Sequence, residues 1–278
     1  MLALDLDDTL LRSDLTISYR TRNAIKRAEA GGIVLVLASS RVPAAIEQFS
    51  RLLGMHKRPG YLICNNGTII RDSRMGTIVF EKKIDSEIAL LAYDLANAEG
   101  FPVQIYDDDT LYVSKPNEFA GYDQKITGLR QVVVENFREM ISQGCYKLII
   151  PGDPMLLKPL EALLRVYLGG SAALFTSKPY FLEILPAGTD KSTALAWIAG
   201  RHGIDRSKVL AVGDSINDET MIRWAGIGVA MVNGDERIKS IADLITERSN
   251  DDDGVADLIE RYILGKESIS ASSLKQGV

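Results

Sequence analysis

The chain has 278 residues, of which 46% are hydrophobic and 25% charged, and its formal net charge is −5. This length suits two domains better than one, and the composition is that of an ordinary globular protein. The acidic balance, with no block of lysines and arginines, argues against nucleic acid as a partner, and no apolar run is long enough to span a membrane. Two distant cysteines in apolar runs, Cys64 and Cys145, predict buried reduced thiols. Because no secretory signal is evident, we expect a cytoplasmic protein.

The first predicted element is a strand that runs directly into acidic residues. The apolar run Leu2–Leu4 precedes three carboxylates, Asp5, Asp7 and Asp8. Such a run predicts a strand buried on both faces, and the C-terminal ends of parallel strands are where open α/β sheets bind ligands. Carboxylates this close together are unfavourable unless a cation or a proton separates their charges. On this stretch alone, the alternative is a solvated acidic turn.

The next two predicted strands also end in polar side chains. Helical spacing over residues 18–30 is followed by a strand at 33–38, which leads directly into Ser39. A hydroxyl and backbone N–H groups at the start of the following helix can bind an anion, although a simple N-cap would explain the serine equally well. A third strand at 61–64 ends in Asn65-Asn66-Gly67, a turn sequence that leads into a hairpin.

Residues 84–184 have a different pattern. Two helical stretches alternate with short strand-like runs, which predicts an α+β unit inserted into the parallel core. The core domain would therefore be discontinuous, formed by residues 1–83 and 185–265. The last residues, 266–278, lack apolar periodicity and predict a disordered tail.

A lysine lies at the point where the chain returns to the core. Thr189 or Asp190 can N-cap a helix that continues to His202, which places Lys191 in the first turn. A cation is unfavourable there because the N-terminal end of a helix is already positive. Lys191 is better explained if it faces negative charge. The alternative is an ordinary surface lysine.

A second acidic loop follows about 200 residues after the first. An apolar run and a glycine precede Asp214, Asn217 and Asp218, so the construction is the same. If the two strands are neighbours in a parallel sheet, these side chains meet Asp5 and Asp7 at one edge. A pocket of carboxylate and amide oxygens suits a hard divalent cation, Mg²⁺ before Ca²⁺ or Zn²⁺.

Taken together, the motifs resemble those of the haloacid dehalogenase (HAD) superfamily, and more closely its Cof-type phosphatases with a large cap. The chain carries Asp5-x-Asp7-x-Thr9, a serine motif at Ser39, Lys191, and Gly213-Asp214-x-x-Asn217-Asp218 in the family's order. The resemblance implies an α/β fold, with a Rossmann-like parallel-sheet core and an inserted α+β cap of the C2B type at 84–184. Two positions depart from the family pattern, because Asp8 and Ser40 stand where glycine is usual.

The resemblance also implies a function. The implied function is a Mg²⁺-dependent phosphatase that acts on small phosphorylated metabolites. Sugar phosphates are the first expected substrates, and pyridoxal phosphate and flavin mononucleotide are further candidates. Asp5 would be the nucleophile and Asp7 the general acid and base. Ser39 and Lys191 would bind the phosphate group. The metal would be bound by Asp5, the main-chain carbonyl of Asp7, Asp214, and Asp218 directly or through water. Thr9, Asn66 and Asn217 would support these residues. Arg41 receives no role, and the oligomeric state is not predicted.

Two other functions are compatible with these residues. A phosphosugar mutase would use the same side chains but return the phosphoryl group to the sugar. A phospho-accepting signalling domain of the receiver type would also need two acidic loops and a lysine. The signalling domain has no need of a hundred-residue insertion, which favours the phosphatase.

Overall fold

The computed structural model describes residues 1–107 and 110–265, so the predicted disordered tail at 266–278 lies outside the described residues. The strands are β1 (Leu2–Leu4), β2 (Leu35–Ala38), β3 (Gly60–Cys64), β4 (Ile69–Asp72), β5 (Ile78–Glu81), β6 (Gln104–Asp107), β7 (Thr110–Val113), β8 (Arg130–Val133), β9 (Leu148–Pro151), β10 (Ala172–Lys178), β11 (Phe181–Pro186), β12 (Leu210–Gly213), β13 (Ile227–Ala230) and β14 (Leu244–Ile245). The α-helices are α1 (Tyr19–Ala30), α2 (Pro43–Leu53), α3 (Ser86–Ala98), α4 (Glu118–Thr127), α5 (Phe137–Ser142), α6 (Pro154–Leu168), α7 (Lys191–His202), α8 (Glu219–Trp224), α9 (Glu236–Ile241) and α10 (Gly254–Leu258).

The chain divides into two compact units. The first, called the core unit below, comprises residues 1–40 and 46–79 and, of the described residues after these, 190–265. The second, called the inserted unit, comprises residues 41–45 and 80–189. The boundaries predicted from the sequence, 84 and 184, lie inside this second range and stay a prediction.

The main sheet has eight strands in the order β14-β13-β12-β1-β2-β3-β4-β5. From β14 through β3 every neighbouring pair is parallel, and β4 then runs antiparallel to β3. The three residues of β1 are completely or almost completely buried, as expected for a strand covered on both faces. β1 lies directly beside β12, so the predicted adjacency of the two strands that precede acidic loops is confirmed.

Helix starts in the core unit follow from their capping residues. The Ser18 side chain accepts a hydrogen bond from the backbone N–H of Thr21, which fixes the start of α1. Asp190 caps α7 in the same way, with Thr193 reciprocating, so Asp190 rather than Thr189 is the N-cap. The start of α2 belongs to the inserted unit and lies at Pro43, as the fixed φ of proline favours.

The inserted unit is an α+β structure, as predicted, with a six-stranded sheet in the order β10-β11-β9-β6-β7-β8. Its apolar core joins α3, α5 and α6 to the sheet, and includes Ala92, Ile141, Ile150 and Leu164. The sequence interpretation missed three elements here, α4, α5 and β8. Of these, α5 has only six residues and β8 only four, which is too short for a periodic pattern to emerge. No helix of the described ranges is both long and apolar enough to cross a membrane.

Candidate active site

The first acidic loop leaves β1 in an extended conformation and then closes into a tight helical turn. The backbone N–H of Asp5 donates to the carbonyl of Val212 in β12, and the N–H of Leu10 donates back to the Asp5 carbonyl, at 3.0 and 3.3 Å. Asp5 is buried in this position, with an exposed fraction of 5%. Asp8 is exposed and has φ 59°, a region in which aspartate is tolerated better than most residues. The turn therefore explains why glycine is usual at this position and why aspartate is accepted.

The second acidic loop is held together by one of its own carboxylates. Asp218 is fully buried, and its Oδ2 accepts the backbone N–H groups of Asp214 and Ser215, each at 3.0 Å. The carboxylate passes so close to Gly213 that a Cβ there would lie 2.5 Å from Asp218 Cβ and Cγ. Glycine is therefore required at the end of β12 because the loop folds back against it.

Lys191 joins the two loops. Its side chain is completely buried, and Nζ donates to Asp5 Oδ1 and Asp218 Oδ1, both at 2.6 Å. Burial alone would lower the pKa of Lys191, but the charges of Asp218 and Asp5 outweigh it, and the pKa is raised above its ordinary value. The ammonium group is therefore charged at every physiological pH, although it lies at the unfavourable end of α7.

The carboxylates of Asp5, Asp214 and Asp218 form an oxygen-lined cluster. One oxygen from each lies within 4.8 Å of the others. Burial is the main reason that the pKa of Asp214 is raised to about 7, and the neighbouring charge of Asp218 is the second. A hydrogen bond from Thr9 Oγ1 at 2.9 Å acts in the opposite direction and lowers this pKa. Burial and Asp218 likewise raise the pKa of Asp5 well above its ordinary value, although Lys191 acts in the opposite direction. When all three carboxylates are ionised, they exceed the single ammonium by two negative charges, and this donor set fits a hard divalent cation.

The other predicted site residues lie around the same edge of the sheet. Ser39 is buried at the end of β2, beside β1, and its carbonyl accepts the backbone N–H of Asn66 at 3.0 Å. Asn66 in turn accepts a long hydrogen bond from the Asn217 side chain, at 3.4 Å. Asp7 is half-buried and close enough to Asp5 to contribute to the raised pKa of that residue. The residues predicted for the site therefore come together at one edge of the core unit's sheet, where all but Lys191, in the first turn of α7, lie in or beside the loops that follow the strands.

Comparison with known proteins places the chain in a family. Residues 2–259 match the family model of haloacid dehalogenase-like hydrolases. The chain belongs to this family. It is 30% identical over 274 residues to YxeH of Bacillus subtilis (strain 168), named as a candidate phosphatase, with 96% of this chain and 99% of that protein covered. It is 29% identical over 279 residues to YcsE of the same organism, a 5-amino-6-(5-phospho-D-ribitylamino)uracil phosphatase, with 95% and 96% covered.

A solved structure supports the same family assignment. A haloacid dehalogenase-like hydrolase from Bacteroides thetaiotaomicron matches with a TM-score of 0.85 and 34% sequence identity, over 93% of this chain and 97% of that one. The predicted fold class and the predicted enzyme class, a HAD-type phosphatase, are thereby confirmed.

Three residues of this HAD-type phosphatase that shape the site were missed in the sequence. Asn233 Nδ2 donates to the carbonyl of Asp8 at 2.7 Å, and Asn250 binds both Asn233 Oδ1 and the carbonyl of Leu11. Ser215 donates its hydroxyl to Asn217 and Asp218. The only sequence signal was that Asn233 follows a strand at the same edge of the sheet. An asparagine before glycine is explained equally well by a turn.

We expect the Asp214→Asn variant of this HAD-type phosphatase to be more stable than the wild type in EDTA at pH 8. Because the folded-state pKa of Asp214 is raised to about 7, the stability it provides is present at low pH and lost as pH rises from about 4 to about 7. Asparagine keeps an acceptor for Thr9 but removes this dependence. Denaturant unfolding should show a gain of about 1–3 kcal/mol at pH 8 and a clearly smaller gain at pH 5. Asp8→Asn, the same change at an exposed position, is the control, and a loss of stability at both pH values would contradict the prediction.

Proposed function

We propose that this HAD-type phosphatase hydrolyses small phosphorylated metabolites with Mg²⁺, through a phosphoryl group carried on Asp5. The observation that carries the proposal is the position of the Asp5 carboxylate. It is buried at the C-terminal end of a central strand, and one oxygen is held 2.6 Å from Lys191. A carboxylate fixed in this way keeps its second oxygen for attack, and its partner cation favours the ionised form.

In the first step, an Asp5 carboxylate oxygen attacks phosphorus in line with the ester oxygen. A bond forms between Asp5 and phosphorus, the ester P–O bond breaks, and Asp7 gives its proton to the leaving oxygen. Ser39 and Lys191 bind the phosphoryl oxygens while charge spreads over them, so that stabilisation is largely electrostatic. Asp7 suits this role because it lies two residues from Asp5 and is half-buried rather than enclosed.

In the second step, water releases the phosphate. Asp7, now ionised, accepts a proton from the water while the water oxygen attacks phosphorus. The bond between phosphorus and Asp5 breaks, inorganic phosphate leaves, and Asp7 is again protonated for the next substrate. The two half-reactions therefore need one residue that alternates between acid and base.

Asp5, the main-chain carbonyl of Asp7, and Asp214 would hold the Mg²⁺ ion. When bound, the ion offsets the repulsion between the carboxylates and the phosphoryl group. Both oxygens of Asp218 are already engaged, one with Lys191 and one with backbone N–H groups, which favours contact with the metal through water. Thr9 orients Asp214, while Asn217 and Asn66 support the second loop.

The proposed substrates are sugar phosphates first, then pyridoxal phosphate or flavin mononucleotide. The relative YcsE is named for a substrate with a phosphorylated ribityl chain, which supports a small polyol or sugar phosphate. A cytoplasmic location and the absence of nucleic-acid or membrane partners remain predictions from the sequence.

Phosphate release from a substrate panel tests the proposal. Hexose and pentose phosphates, pyridoxal phosphate, flavin mononucleotide and p-nitrophenyl phosphate would each be incubated with Mg²⁺ or with EDTA. We expect release that depends on Mg²⁺ and returns when Mg²⁺ is added back in excess of EDTA. Equal release in EDTA would overturn the metal requirement. Interconversion of hexose phosphates without release of phosphate would show a mutase instead.

A further inference from the structure

The core unit has a cleft at the edge of its sheet opposite the acidic loops. Its volume is about 400 Å³, and it lies between α2 and the turn that follows β4. β4 begins beside the end of β3, where Ile69 pairs with Cys64, and ends beside the start of β3, where Asp72 pairs with Tyr61. The site loops follow the ends of the parallel strands. The cleft is therefore separated from the active site by the length of β4.

Three arginines line the cleft, and their nearby acidic partners do not balance them. Arg51 Nη2 and Arg71 Nη1 bind opposite oxygens of a single carboxylate, Glu47, at 2.7 and 3.4 Å. Arg74 is the third arginine, and Asp72 is the second acid of the lining. Three guanidinium groups against two carboxylates leave one positive charge, in a chain whose net charge is −5.

Of the two acids, Glu47 is paired with Arg51 and Arg71 of the cleft itself, and Asp72 is held by the backbone of the turn. The hydrogen bond from Arg51 is the main reason that the pKa of Glu47 is lowered, so this carboxylate stays ionised between the two guanidinium groups. Asp72 Oδ1 accepts the backbone N–H groups of Arg74 and Met75, at 2.9 and 2.8 Å, which fixes the turn. Arg71 Nε donates to the carbonyl of Gly76 at 2.7 Å, which holds the same turn against the cleft. The walls are therefore ordered, while the guanidinium groups keep further N–H donors.

We propose that this cleft is a second ligand site, which binds a small metabolite through a phosphoryl or carboxylate group. Guanidinium groups bind both kinds of oxyanion with paired N–H donors, and about 400 Å³ is the size of a typical small-molecule site. Exposed Met75 adds an apolar contact for the carbon skeleton of the ligand. The proposal concerns binding alone and does not depend on the proposed catalytic function.

Binding of sulfate and of malonate to the full chain tests this site and distinguishes a phosphoryl-like group from a carboxylate. Titrations would be done in EDTA at constant ionic strength, by calorimetry and by amide chemical shifts in NMR spectra. We expect shifts at Arg74, Met75 and Gly76 with at least one of the two anions. The Arg51→Gln/Arg74→Gln variant should bind that anion at least fivefold more weakly. Both side chains are exposed, so the variant is expected to fold.

Arg27→Gln is the matched control, because Arg27 is an exposed arginine on α1 outside the cleft. It should bind both anions as the wild type does. Shifts confined to residues near Lys191, equal binding by the double variant, or an equal response to chloride would each overturn the proposal. A response to sulfate only would identify the ligand as a phosphorylated compound, and a response to malonate only as a carboxylate.

Discussion

The Asp5→Asn variant is expected to release phosphate at least about 1,000-fold more slowly than the wild type from every substrate of the panel, a loss of at least about 4 kcal/mol of transition-state stabilisation. Asparagine has no anionic oxygen that can attack phosphorus, so the phosphoryl group cannot be transferred to residue 5. The shape of the side chain is unchanged, and its carbonyl oxygen can still accept the hydrogen bond from Lys191, 2.6 Å away in the wild type. The fold should therefore be retained.

Three measurements separate lost chemistry from lost structure in this variant. Circular dichroism and denaturant unfolding should show a folded protein of at least wild-type stability, because burial raises the pKa of the Asp5 carboxyl and so disfavours its charged form. Acid quenching during turnover should trap phosphate on the wild-type protein and not on the variant. Asp8→Asn, the same change three residues further along the loop, should keep its activity. Turnover that survives Asp5→Asn would exclude Asp5 as the nucleophile.

The position of the site could be predicted because it follows from local patterns. The buried run Leu2–Leu4 and the run before Gly213 each lead into carboxylates, and parallel strands place their C-terminal ends at one edge. Lys191 could be assigned a partner of negative charge because a lysine in the first turn of a helix is otherwise unfavourable. These inferences need only the strand order, which the alternation of apolar runs and helices restricts to few choices.

The internal bonds of the site could not be predicted in the same way. Asp218 could bind a metal, stabilise its own loop or face Lys191, and the choice depends on distances of a few tenths of an ångström. In the structure it both stabilises its own loop and binds Lys191. The contact of Asn233 with Asp8 joins residues 225 positions apart, and neither residue type requires it. The short α5 was missed for a related reason, since its Phe137 is buried by packing against other elements rather than by a pattern of its own.

The Lys191→Met variant is expected to lose both activity and stability. Methionine has nearly the same length and fills the buried space, but it leaves Asp5 and Asp218 without their shared cation. Removing one partner of a buried ion pair commonly costs about 3–5 kcal/mol, and we expect a loss of this size in EDTA at pH 8. Phosphate release should fall at least about 1,000-fold, because the phosphoryl oxygens also lose their buried cation.

The pH dependence of that loss tests its cause. The pKa of Asp5 is already raised in the wild type and should rise further without Lys191, so a proton neutralises Asp5 at lower pH. The difference in unfolding free energy between variant and wild type should therefore be smaller at pH 5.5 than at pH 8. Lys26→Met, the same change at an exposed lysine on α1, should alter stability by less than about 0.5 kcal/mol.

A second substitution then distinguishes charge from packing. In the Lys191→Met/Asp5→Asn double variant one unpaired charge is gone, and much of the stability lost at pH 8 should return, while activity stays absent. The double variant could instead be no more stable than Lys191→Met, with the same loss of unfolding free energy at both pH values. That result would mean that the lysine side chain acts by filling space. Recovery would instead show that this ammonium group is what permits two carboxylates to be buried side by side. Since the proposed chemistry requires a buried, ionised Asp5, the same cation would then serve both the fold and the reaction.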